Sequence, residues 1–194
     1  MAAINYDAIA QELKRGLVDP DVAGPIDCLA LDKPMALKEF FTLGIGGPRQ
    51  TGKTKWMIES LIRDPLSRLV TLNLSLQEAA VNYLSMYASL DENTQDGTKV
   101  PDSIWIPGIG WVPVHPEAAA VIRQNPNVIE EAKCRIITAH TLRDMISQDK
   151  VSKDDIRQIF IDHRIQTFHL IRYSKYYTWL AKKSDNYVLT WLID

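Results

Sequence analysis

Cysteine is nearly absent from the sequence: Cys28 and Cys134 are the only two, far apart and in no Cys-x-x-Cys pair. That excludes the disulfide framework that staples small secreted domains. The four histidines, His115, His140, His163 and His169, lack metal-ligand spacing, so no zinc site is expected. No apolar run is long enough to span a bilayer, and the opening Met-Ala-Ala-Ile-Asn-Tyr-Asp has no basic stretch ahead of an apolar one. A soluble, reducing, cytoplasmic setting with no membrane contact is expected. An excess of one charge is missing too. With 22 basic against 24 acidic residues the formal net charge is −2, so no global positive field draws the chain to nucleic acid, and such a contact must come from a local patch.

What the sequence does hold is 194 residues with 46% hydrophobic content, enough for one domain with a substantial core. Its most informative stretch is Gly47-Pro48-Arg49-Gln50-Thr51-Gly52-Lys53-Thr54, between an apolar run from Phe40 and a helical pattern. Two glycines five apart followed by Lys and a hydroxyl residue form the Walker A, or P-loop, pattern. A strand delivers the tight loop, and a helix N-terminus turns its amides toward phosphate. Glycine lets backbone amides approach the phosphate oxygens, Lys53 supplies positive charge, and the Thr54 hydroxyl can ligate Mg²⁺. The expected nucleotide cradle is Gly47, Gln50, Thr51, Gly52, Lys53, Thr54 and Lys55.

Along the chain, Tyr6, Ile9, Leu13 and Leu17 recur at helical spacing after Asn5, predicting an N-terminal helix that docks on the body. Prolines and aspartates from Val18 to Pro34 predict loop, so residues 1–34 read as helix and linker and 35–194 as the main domain. A helix is predicted from Lys53 to Arg63, stopped by Asp64-Pro65, then a strand from Arg68 to Leu74 and a helix opened by Ser75 with Glu78 as a capping box. Residues 91–116 interrupt this rhythm. There Pro107-Gly108 between Trp105 and Trp111 predicts a hairpin or folded excursion. Its aromatic residues either form a docking surface for a protein partner or a second copy, over 104–114, or fold back on the body. Pro126 divides the next helical stretch in two, and strands are predicted at Cys134–Ala139, Ile156–His163 and Tyr187–Ile193. The alternation points to an α/β fold: a three-layer arrangement with a mostly parallel five-stranded sheet between helices.

Two further features bear on chemistry. Asp162 closes an apolar strand where such folds bind ligands, so it is expected to hold Mg²⁺ opposite Thr54. A helix from Leu170 to Lys183 is predicted to turn Leu170, Tyr173, Tyr177, Leu180 and Ala181 to the core. Its other side, Arg172, Lys175, Trp179, Lys182 and Lys183, is either a DNA- or RNA-backbone contact or a solvated charged face.

The Arg49-Gln50-x-Gly52-Lys53-Thr54 loop, the strand pattern, Asp162 and a last strand carrying Thr190 together resemble the ATPase core of phage large terminases and the first lobe of DEAD/DEAH-type helicases. The resemblance implies a P-loop NTPase fold whose last strand inserts between the P-loop strand and the Asp162 strand. It also implies ATP and Mg²⁺ as cofactors, and a γ-phosphate contact in cis from Arg49. The expected catalytic set is Lys53, Arg49, Asp162 and His163, for an ATPase acting in packaging, remodelling or recombination, in the host cytoplasm if the chain is phage-encoded. Where the family places a glutamate after the magnesium aspartate, this sequence has His163, which points to slow or partner-dependent hydrolysis. Glu78, Asp144 and Asp102 are other carboxylates that could serve. The resemblance covers residues 40–194 and a single ATPase lobe, with no room after the final strand for a nuclease domain or second lobe. A nucleotide-gated protein-binding module without hydrolysis, and a small P-loop nucleotide kinase, are the alternatives.

Overall fold

A computed structural model describes residues 4–15, 31–46, 52–90, 94–95, 98–99, 102–148, 156–184 and 187–194. The core is a five-stranded, wholly parallel sheet of β1 (Thr42–Ile45), β2 (Ser67–Thr71), β7 (Ile136–Thr138), β8 (Gln158–Asp162) and β9 (Leu189–Ile193), in the spatial order β1-β9-β8-β2-β7. The last strand thus lies between the strand that leads to the glycine-rich loop and the strand that ends in Asp162. Two short ladders stand apart: β3 (Thr94–Gln95) with β4 (Thr98–Lys99), and the hairpin β5 (Ser103–Ile106) with β6 (Gly110–Pro113).

Strand pleating sends alternate side chains to opposite faces, and each face is roofed by helices. Phe160, Trp191 and Ile193 point to one side, where they meet α1 (Tyr6–Arg15), α3 (Lys53–Arg63), α4 (Leu74–Ser85), α5 (Pro116–Gln124) and α6 (Val128–Lys133). Ile159, Ile161 and Leu192 point to the other, against α2 (Lys33–Phe40), α7 (Ala139–Gln148), α8 (Arg164–Ile171) and α9 (Tyr173–Lys183). Helix α3 begins and ends as its sequence dictates, but it is buried on every side from Trp56 to Ile62, because α1, α5 and α6 enclose what the sheet leaves open.

That enclosure takes Glu59 out of water. Its carboxylate accepts from Lys55 Nζ at 2.8 Å and from the His115 amide at 2.9 Å, two charge-assisted bonds that offset the cost of burying an anion. The second bond ties α3 to the segment leaving the hairpin. The N-terminal helix is pinned to the same element: Asp7 accepts from Arg63 at 2.8 Å and from the Trp56 indole at 3.3 Å.

Several local expectations are corrected. Loop was predicted through Pro34, yet Lys33–Phe40 is a helix, capped by Asp32 accepting from the Met35 amide at 2.9 Å, with proline in the first turn where its missing N–H costs nothing. Helix α1 buries Tyr6 and Ala10 rather than Ile9, and residues 16–30, with Leu17 and Cys28, lie outside the described residues. Helix α4 is capped by Asn73, not Ser75, through a 3.0 Å bond from the Leu76 amide, and Glu78 is exposed. The predicted helix from Leu170 to Lys183 is two helices, broken at Arg172, whose φ is +59°. The hairpin forms where Pro107-Gly108 predicts it. Gly108 and Gly110 take φ of +78° and +100°, and Trp105 faces Trp111 with ring centroids 5.6 Å apart.

Both faces of the sheet bury tyrosine, which sets a pH limit on the fold. Burial, reinforced by the Glu59 charge, pushes the Tyr83 hydroxyl up to about 12, and burial drives Tyr87, Tyr176 and Tyr177 upward as well. Folded tyrosines therefore stay protonated where unfolded ones ionise, so above pH about 10 the unfolded chain binds fewer protons and stability falls as pH rises. Thermal denaturation from pH 8 to 11 is expected to show a flat midpoint up to about pH 10 and a steep decline beyond it. Tyrosinate absorbance should then rise together with unfolding rather than before it.

Candidate functional site at the C-terminal edge of the sheet

β1, β9 and β8 end level with one another: Ile45 pairs with Ile193, and Ile193 with Asp162. Of the residues predicted to handle phosphate, the described Gly52, Lys53, Thr54 and Asp162 lie at this edge. After β1, Gly52 sits in the left-handed region at φ +90° and caps α3, with Lys53 as the first helical residue. Thr54 follows, exposed at the helix start. A Cβ on Gly52 would be strained by that backbone. Gly47, Arg49, Gln50 and Thr51 lie outside the described residues.

Lys53 Nζ reaches over the end of β9 to the main-chain oxygen of Asp194. The Asp194 amide in turn donates to the Ile45 oxygen at 3.2 Å, so β9 continues past its last paired residue along β1. Arg164, two residues beyond Asp162, brings its Nε to the Asp194 carboxylate. Its guanidinium extends across β9 until Nη1 is 3.5 Å from where a Gly44 side chain would begin. Two cations, each the first residue of a different helix, thus converge on one residue. Lys55 behaves differently, its ammonium being held by buried Glu59.

Asp162 ends β8 with a carboxylate turned toward its own neighbour. Oδ1 accepts from the His163 amide at 3.0 Å, and the ring Nδ1 of His163 lies 3.1 Å from Oδ2, buried and outside hydrogen-bond geometry. His163 adopts φ +52°, the turn that swings the chain from β8 into α8. A non-glycine residue there costs on the order of 1 kcal/mol. For Mg²⁺ the donors fit in kind: a hydroxyl and a carboxylate are hard oxygen ligands, and magnesium in phosphate sites takes few protein ligands beside phosphate and water. Among the described residues no group of three or more His, Cys, Asp or Glu is gathered as a metal cage.

The other carboxylates considered for catalysis are occupied or outward. Asp102 pairs with Arg123 at the base of the hairpin, and Asp144 pairs with Arg143 at 3.2 Å on the surface. A cavity of about 280 Å³ is lined by Ile146, Lys175, Thr178, Trp179 and Lys182, and another of about 230 Å³ lies beneath α1, lined by Asp7, Lys14, Arg63 and Trp191. Neither is lined by Lys53, Thr54 or Asp162.

The predicted nucleic-acid face is corrected in two of its five residues. Arg172, Lys175 and Lys182 are exposed, but Trp179 and Lys183 are each only 4% exposed. The reason is tertiary: α9 packs against α2 as well as α7 and α8, so two of its sides are covered rather than one. The Lys183 ammonium lies 5.7 Å from the Trp179 ring, a contact made inside the protein. Trp179 is therefore no stacking platform, and three cations remain on that surface. In the hairpin, Trp105 and Ile109 at its tip are exposed, while Ile104, Ile106 and Val114 are buried. Cys134 is a free, exposed thiol. No described helix is long and apolar enough to cross a membrane.

Sequence reasoning missed Glu59, Arg164 and Asp194. Arg164 had a signal, its place two residues after Asp162. Asp194 had a signal only in the resemblance, which sets the last strand between β1 and β8 and so brings its end to this edge. No protein-family model matches the chain, and no curated protein matches it.

Proposed function

We propose that this chain binds a nucleoside triphosphate with Mg²⁺ at the C-terminal edge of its parallel sheet and acts as a P-loop ATPase of the terminase and helicase-lobe type. The observation that supports the reading is that β1 ends at Ile45 and α3 starts at Lys53 after a left-handed Gly52, one strand removed from Asp162 at the end of β8. Helix amides and Lys53 would hold the phosphates, and Thr54 and Asp162 would hold magnesium, which when bound supplies charge neutralisation at the β- and γ-phosphates. Nucleic-acid handling rests on the resemblance, with Arg172, Lys175 and Lys182 as the exposed cations of the α9 surface.

The nucleotide-gated reading, binding without brisk hydrolysis, is favoured by one observation. The residue after Asp162 is a histidine whose amide and ring both face that carboxylate, where the resemblance calls for a glutamate to order a water. The kinase alternative calls for an arginine-rich lid between late strands. What joins β8 to β9 is a pair of helices, α8 and α9, rooted in the core by Tyr176, Tyr177 and Trp179.

The test is ATP affinity by calorimetry together with ATP turnover, with and without single- and double-stranded DNA and RNA at stated salt. Binding with nucleic-acid-stimulated turnover supports the motor reading, and binding with turnover near background supports the gated one. No measurable affinity for ATP over buffer rejects both.

A further inference from the structure

Arg164 and Lys53 reach Asp194 from opposite sides of β9. Lys53 takes the main-chain oxygen and Arg164 the side chain. Such a convergence of cations is what a phosphate site requires, and here an acidic residue of the chain itself stands in its midst. The arrangement spans three strands. Arg164 starts two residues past the end of β8 and passes over β9 to lie beside Gly44 of β1. Neither partner is locked in place, since the Arg164 and Asp194 side chains keep 44% and 32% of their exposure. A partly exposed ion pair is weak, whereas a guanidinium on phosphate makes strong, frequently paired charge-assisted bonds. A bound phosphate chain can therefore outcompete the carboxylate for the same arginine.

We propose that Arg164 is a phosphate-binding residue of this site, kept in place by Asp194 until a nucleoside triphosphate arrives and takes the guanidinium from it. The inference rests on the nucleotide-binding reading above and adds to it a specificity: Arg164 distinguishes triphosphate from diphosphate, because it opens α8 two residues after Asp162, across β9 from Lys53 at the start of α3. The Asp194 side chain is a competitor, so removing its side-chain charge releases Arg164 and leaves the Lys53 contact, which is to the main chain.

The test is titration calorimetry of the full chain with Mg·ATP and Mg·ADP, for the unaltered protein, Arg164→Ala, Asp194→Asn and the double variant, each first checked for an unaltered cooperative thermal transition. Arg164→Ala is expected to weaken ATP binding about tenfold while changing ADP binding less than about twofold. Asp194→Asn is expected to tighten ATP binding about two- to fivefold. The double variant should match Arg164→Ala alone, since Asp194 acts through the arginine. Equal ATP affinity in Arg164→Ala and the unaltered protein, with binding still lost in Lys53→Ala, overturns the proposal and leaves the nucleotide reading standing. Equal weakening of ATP and ADP also overturns it, as a general structural effect. No binding by the unaltered protein overturns both. If Arg164→Ala loses its cooperative transition, Arg164→Lys decides: it keeps the charge but not the fork, and is expected to recover only part of the ATP-specific affinity.

Discussion

Replacing Trp191 with alanine is expected to lower the stability of the fold by about 3–5 kcal/mol, the usual cost of truncating a large buried aromatic. Trp191 is fully buried at the middle of β9, the strand on which the site depends. Its ring stacks beside Phe160 of β8 at 6.3 Å between centroids and meets Trp56 of α3 edge-on at 5.3 Å, while Trp56 meets Phe160 edge-on at 5.2 Å. These three rings wedge the helix carrying Lys53 and Thr54 against the two strands carrying Asp162 and Asp194. The indole N–H donates to Gln158 at 3.1 Å, and the Lys14 ammonium lies 5.6 Å from the ring. Alanine would remove all of this at once and leave a cavity between sheet and helix. Phenylalanine keeps most of the apolar volume but strands the Gln158 oxygen, for an expected loss of about 1–2 kcal/mol. Chemical denaturation of the three proteins checks the order. A Trp191→Ala protein within about 1 kcal/mol of the original would mean that the wedge is not where this fold is held together.

Much of this architecture is written locally. Helix α3 has its boundaries in its own sequence, Gly52 at one end and Asp64-Pro65 at the other, and β8 and β9 are apolar runs that only a sheet covered on both faces accommodates. The two helices around Pro126 and the hairpin at Pro107-Gly108 follow from backbone chemistry alone. Helix α2 was equally available. Asp32-Lys33-Pro34 is a helix start, and counting its proline as a breaker hides it, since proline is tolerated in the first turn and only later breaks a helix.

What was not legible belongs to tertiary structure. A helical period assigns one face to the core, but α9 is covered on two, so Trp179 and Lys183 could be placed only once α2 and α7 were known to flank it. Glu59 reads as an ordinary exposed i,i+4 partner of Lys55, and nothing in the local sequence announces that α1, α5 and α6 enclose it. The pairing of Arg164 with Asp194 spans thirty residues and exists only because the last strand enters the middle of the sheet. The start of α3 after Gly52 and the strand that ends in Asp162 were readable. The place of the last strand came from the resemblance alone, and the side-chain pairing across it was not readable.

Lys53→Ala is expected to reduce ATP affinity about a hundredfold or more while leaving the fold essentially as stable as before. The two halves of that expectation have separate causes. Lys53 is only half-buried, and its bond to the Asp194 main-chain oxygen joins two segments already held by β1–β9 pairing, so its removal costs the folded state little. Toward a triphosphate, in contrast, it is the one lysine at the helix start aimed over the strand ends, and losing a charge-assisted contact to a highly charged ligand is expensive. Lys55, two residues on, separates the two effects. Its ammonium is held by Glu59, which is 3% exposed, so Lys55→Ala would leave a buried carboxylate short of its counter-charge and should cost about 1–3 kcal/mol of stability. Thermal denaturation and calorimetric titration with Mg·ATP, run on both variants, give four numbers. Stability lost in Lys55→Ala and affinity lost in Lys53→Ala is the pattern required of a helix whose first residue faces a ligand and whose third faces the core. Equal affinity loss in both would show that the helix N-terminus carries the phosphate contact without a particular lysine, and an unchanged affinity in Lys53→Ala would remove the P-loop reading altogether.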